Sequence, residues 1–161
     1  MTLDTKSIQS AIDEVKRIQE WIAKKTAEFN KRLAEVGRDV AERGFSQAQY
    51  SGVNDVVVEA VPTDKGWSIR ASGKAVMFLE FGAGRIANPT EPHPNRPSEI
   101  ADIGQFGKGQ GEKRGQHGQL IGWFYGDGEY TEGNPATLAM WNAEEEIKQR
   151  VKEIAKEVFS I

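Results

Sequence analysis

Cysteine is absent from the 161 residues. That excludes disulfides, thiolate zinc sites and cysteine nucleophiles together, and it suits a reducing compartment. Histidine is nearly absent: His93 and His117 are the only two, and neither belongs to an H-x-x-x-H pair. Glu91, Glu99 and Asp102 could supply oxygen ligands near His93, but they form no compact ligand pattern. Long apolar runs are missing as well. The longest, residues 75–79, is far too short to span a bilayer, and the charged stretch from Asp4 onward holds no signal-peptide core. Excess positive charge is also lacking. A net charge of −3 and a pI near 5.5 give no general pull toward nucleic acid.

Catalytic signatures are equally scarce. No G-x-S-x-G elbow occurs, and no local set of serine, histidine and aspartate suggests a triad. Residues 82–87 match G-x-G-x-x-A, but Asn88-Pro89 follows where a dinucleotide site needs a helix to begin. The reading there is a tight turn of small residues. Lys108, Lys113 and Arg114 could contact phosphates, with Trp123, Phe124 and Tyr125 as stacking platforms. Glu112, Asp127 and Glu129 sit among them and weaken that reading. No cofactor and no metal are expected.

What is present is a scaffold with clear periodicity. Ile8, Ile12, Val15, Ile22, Phe29, Leu33, Val36 and Val40 recur at steps of three, four or seven, which predicts one long helix over residues 5–43. Gln19 and Thr26 fill the gaps in the seam, and Ile18 and Trp21 widen it. Asp4 or Thr5 fits the N-cap, and Gly44 fits the stop. Such a helix is roughly 55–60 Å long, more than a domain of this size is wide. Either it breaks near Gly37, or its first half projects toward a partner or another copy, or it folds back on its own sheet. Residues 53–61 are dense in β-branched side chains. Pro62 to Gly66 is turn chemistry, and Trp67, Ile69 and Ala71 alternate with polar residues. A β-hairpin follows from this.

Residues 75–81, A-V-M-F-L-E-F, suit either a buried strand or a two-turn helix. Glu80 inside this run is costly to bury without a partner. Arg70, Arg85 or a residue of another copy could supply one; otherwise the acid points outward from a strand. Residues 85–119 hold four of the six prolines and then a Gly-rich tract, and read as a long, largely mobile excursion. Residues 120–125 return to a strand. Asn134 as N-cap and Pro135 at the first position open a last helix, expected to pack across the sheet. The expected fold is a single α+β domain over 1–161: a long helix, a hairpin with one or two further strands in a small, mainly antiparallel sheet, and a C-terminal helix.

Two segments then resemble a known family. One is A-x-x-F-L-E-F-G-A-G, with Phe78, Leu79, Glu80, Phe81, Gly82 and Gly84; the other is G-N-P-A-T-L-A-M-W-N-A, with Pro135, Met140 and Ala143. Over residues 53–160 the chain resembles the small head–tail joining (neck) and tail-completion proteins of long-tailed bacteriophages and prophages, labelled minor capsid or minor tail components. That family more often has Thr where this chain has Ala83. The resemblance implies a structural, non-enzymatic member of an oligomeric ring in the virion, at the neck or head-proximal tail. It implies assembly in the bacterial host cytoplasm, with other copies of itself and with connector, neck or tail-tube proteins as partners. It implies neither a membrane nor a nucleic-acid ligand. Two other classes remain: a nucleic-acid-binding module built on the basic Gly-rich loop and its aromatics, and a small hydrolase or metalloenzyme built on His93, His117 and nearby acids.

Overall fold

The computed structural model describes residues 5–84, 111–124 and 130–160. The chain begins with helix α1, Thr5–Ser46, which runs unbroken for 42 residues, about 63 Å. It does not break at Gly37. Gly37 lies where α1 meets two other elements, and a Cβ there would run into the tips of Ile69 and Ile147. Gly44 does not stop the helix either. It lets α1 come close to Ala139, and the helix ends two residues later.

The hairpin forms as the sequence indicates, with shifted bounds. Strand β1, Val57–Thr63, pairs antiparallel with β2, Gly66–Ser72, around a turn at Asp64-Lys65. Pro62 is tolerated inside β1 because, among the described residues, this sheet has two strands and each lies at an edge. The ambiguous apolar run is helical: α2 covers Val76–Phe81, and β3, Ala83–Gly84, follows. Strand β4, Gly111–Arg114, pairs with β5, Leu120–Phe124, which pairs in turn with β6, Tyr130–Thr131. Residues 111–119 are therefore a strand and turn, where the sequence suggested mobile loop; residues 85–110 lie outside the described residues. Strand β7, Gly133–Asn134, pairs with β3. Helix α3, Ala139–Phe159, closes the chain.

The architecture is α+β, with three small antiparallel sheets among the described residues where one was expected. Helix α3 was expected to cross the sheet. Instead it lies antiparallel along α1 and meets the hairpin at Ile147. Ala139 sits by Gly44, Ile147 by Gly37, Glu157 by Arg32, and Phe159 by Phe29 and Trp21. Small residues at the upper end, Ala41 and Gly44 against Ala139 and Ala143, let the two backbones approach closely. The core gathers there: Ala41, Phe45, Ala75, Leu79, Ala139 and Ala143 are buried together, with Tyr50, Val56, Val58 and Met140 packed around them.

Candidate functional site

Burying α2 requires both of its ends to be satisfied, because a short helix leaves most of its backbone groups without an internal partner. At its start, Asp55 reaches across from the segment before β1. Its two carboxylate oxygens accept from the N–H groups of Lys74 and Ala75, both at 2.9 Å. Those backbone donors hold the Asp55 carboxyl below its ordinary pKa. The neighbouring Asn54 donates its amide to the carbonyl of Phe45 at 2.8 Å, tying down the end of α1.

At the other end of α2, the two sequence segments that carry the family resemblance meet. The Asn134 side-chain amide donates to the carbonyl of Phe78 at 2.7 Å. The Thr137 N–H and hydroxyl both donate to the carbonyl of Leu79, and the Leu138 N–H donates to that of Glu80. The last-turn carbonyls of α2 are thereby used. The Glu80 carboxylate then accepts from the N–H groups of Met140 (2.9 Å) and Trp141 (3.2 Å) in the first turn of α3. Glu80 is only 3% exposed. A carboxylate there satisfies orphan donors and faces the positive end of the α3 dipole.

Every motif residue finds a place in this clamp. Leu79 is fully buried in the core, Phe81 is buried and Phe78 half-buried. Gly82 turns the chain out of α2 at a φ of 75°, a left-handed value that favours glycine. Gly84 pairs with Gly133 across the two-residue ladder. The motif is thus a buried joint and offers little surface of its own. Glu80 does not point outward from a strand: its carboxylate turns to backbone N–H groups of α3, and Arg85, one of the partners suggested for it, lies outside the described residues. The α3 N-terminus differs too: the helix begins four residues after the expected position, Asn134 is in β7, and Leu138 takes the N-cap position with φ 52°. A leucine side chain has no acceptor with which to cap, and the Glu80 carboxylate from α2 accepts those N–H groups instead.

The basic residues proposed for phosphate binding are engaged internally where they are described. Lys113 Nζ lies 3.1 Å from the centroid of the Tyr130 ring. Arg114 pairs with Glu112 and donates to the Gly118 carbonyl. Lys108, His93, Tyr125, Asp127 and Glu129 lie outside the described residues. His117 sits in the β4–β5 turn, where its N–H donates to the Gln119 side chain. Among the described residues, no group of three or more histidine, aspartate or glutamate side chains is placed to hold a metal, and no helix is long and apolar enough to cross a membrane.

A second surface belongs to α1. Helix α3 ends opposite Trp21, so residues 5–20 of α1, about 24 Å, extend past it. Every residue from 5 to 24 is exposed. Ile8, Ile12, Val15, Ile18 and Ile22 are each 43–54% exposed, on the stripe whose continuation, Phe29, Leu33, Val36 and Val40, is half-buried farther along the helix. A contiguous apolar stripe of this kind marks a contact surface more often than a solvated face. No family model, curated protein or solved structure matches the chain.

Proposed function

We propose that this chain is a structural assembly protein of a tailed phage or prophage, acting without catalysis at the head–tail neck or in tail completion as one subunit of an oligomeric ring. The observation that carries the reading is the clamp. The bonded residues of the two resembling segments stand 56 to 61 positions apart in sequence, yet Phe78, Leu79 and Glu80 bond directly to Asn134, Thr137, Met140 and Trp141. The two segments on which the resemblance rests thus form one joint in this chain, which supports reading them together. The bare apolar stripe on α1 supports the assembly half of the reading, since a subunit that works by docking needs surface that is unsatisfied when alone. Partners on this reading are other copies of the chain and the neighbouring connector, neck or tail-tube proteins. The protein would be carried in the virion after assembly in the host cytoplasm.

The test is electron microscopy of a lysate from a phage or induced prophage lacking the gene. Full heads beside unjoined tails, or tails of uncontrolled length, are the expected result and show which side of the joint fails. Intact infectious particles without the protein would remove the assembly reading.

A further inference from the structure

The arm of α1 has a symmetry that its exposure alone does not require. Counted from Val15, Ile12 and Ile18 stand three residues to either side, and Ile8 and Ile22 seven. The stripe reads the same in both directions. Its charges do not: Asp13 and Glu14 precede the centre, and Lys16 and Arg17 follow it. At 3.6 residues per turn, Glu14 and Arg17 lie to one side of the stripe, and Asp13 and Lys16 to the other. Residues 5–22 carry three bases and three acids in all, so two arms repel little as a whole.

We propose that this arm is a homodimerisation element that pairs antiparallel with the arm of a second copy about a two-fold axis at Val15. In that pairing the two Val15 side chains meet at the axis, Ile12 packs level with Ile18 of the partner subunit, and Ile8 packs level with Ile22 of the partner subunit. The repeat of three and four residues is the spacing that knobs-into-holes packing uses. Each edge of the seam then collects two acids and two bases. Glu14 comes closest in height to the partner's Arg17, and Asp13 to the partner's Lys16. A parallel pair in register reverses this, setting Glu14 level with the partner's Asp13 and Arg17 level with the partner's Lys16, like against like. Exposed ion pairs contribute little affinity, so the isoleucines hold the pair and the charges select its direction. Where α3 ends, Ile18, Trp21 and Ser160 line a groove of about 570 Å³ that also touches Glu14 and Arg17. The partner's Ile12, level with Ile18, comes beside this groove. Such an interface is isologous, the same patch on both chains. It stands on the arm's own residues, whether or not the assembly reading holds.

The test uses the full chain. Sedimentation equilibrium is expected to give a concentration-dependent dimer. Val15→Lys, at a position 54% exposed in the single chain, should leave the helical circular dichroism and the melting temperature of the body unchanged. It should weaken the dimer at least about a hundredfold, since two buried valines are lost per pair. Direction is read by cross-linking, which is clean because the chain has no cysteine. A mixture of Ile8→Cys and Ile22→Cys chains should form a mixed disulfide dimer, while Ile8→Cys alone should not. Reversing the acids in Asp13→Lys/Glu14→Lys should weaken the dimer, and adding Lys16→Glu/Arg17→Glu should restore it. A monomer at all concentrations, an oligomer indifferent to Val15→Lys, or efficient Ile8-to-Ile8 cross-linking would each overturn the proposal.

Discussion

Glu80 and Asp55 do the same work in different places. Each carboxylate leaves its own segment and accepts two backbone N–H groups at the start of a helix distant in sequence or turned away from it. Charged hydrogen bonds of this kind contribute more than neutral ones, and a buried donor left without a partner costs its full desolvation. Glu80→Ala should therefore destabilise the fold by about 2–4 kcal/mol in urea unfolding, well above the usual helix-cap loss of about 1 kcal/mol. Glu80→Gln, which keeps one accepting oxygen, should lose less. Asp55 gives a pH signature. Its pKa is lower in the folded chain than in the unfolded one, so its contribution is complete above the ordinary carboxyl pKa. It fades as the pH falls through the depressed value. Thermal melts from pH 6 down to pH 2 should show a loss in that acid window that is smaller in Asp55→Asn. A nearly identical acid dependence in the variant would mean that other carboxyls dominate.

At the scale of elements, the α1–α3 pair separates two kinds of close contact. A methyl at Gly37 would meet only the flexible ends of Ile69 and Ile147, whereas one at Gly44 would meet the backbone of Ala139, 3.1 Å away at its Cα. Alanine is otherwise favoured over glycine in a helix by about 1 kcal/mol. Gly37→Ala should thus fall within about 1 kcal/mol of the parent, while Gly44→Ala should cost about 1–3 kcal/mol by overpacking a contact that cannot yield. Equal effects in guanidinium unfolding would show that the crossing has slack at both points. These elements also mark what the sequence could disclose. Periodicity of three and four residues identified α1 and α3, and β-branched alternation with a turn identified the hairpin, because both patterns are local. The ends of α2 and α3 were not legible. Asn134-Pro135 carries a sound local start signal, yet the Glu80 carboxylate, arriving from α2, moves the start to Ala139. The same non-local pairing explains Glu80 itself. Its carboxylate accepts from a backbone group sixty residues away, which no local pattern could indicate.

On the scale of the whole molecule, stability should be graded along α1. Its C-terminal half is held by α3 and the hairpin, while every residue from 5 to 20 is exposed in the single chain. Hydrogen exchange should show fast exchange over the arm and the slowest exchange around the α3 first turn and the Ala41–Phe45 segment. If the arms pair, dilution should speed exchange in the arm and leave the core amides unchanged. The pairing of α1 with α3 has a further consequence during synthesis. Arg32 and its partner Glu157 are 125 positions apart, so α1 leaves the ribosome well before the helix that covers it. At about 5–20 residues per second, the inner face of α1 waits several seconds or more with its stripe bare along its whole length. For that interval the nascent chain presents the same apolar ladder that the finished arm keeps exposed. Neighbouring chains on one polysome could join through it before either has folded.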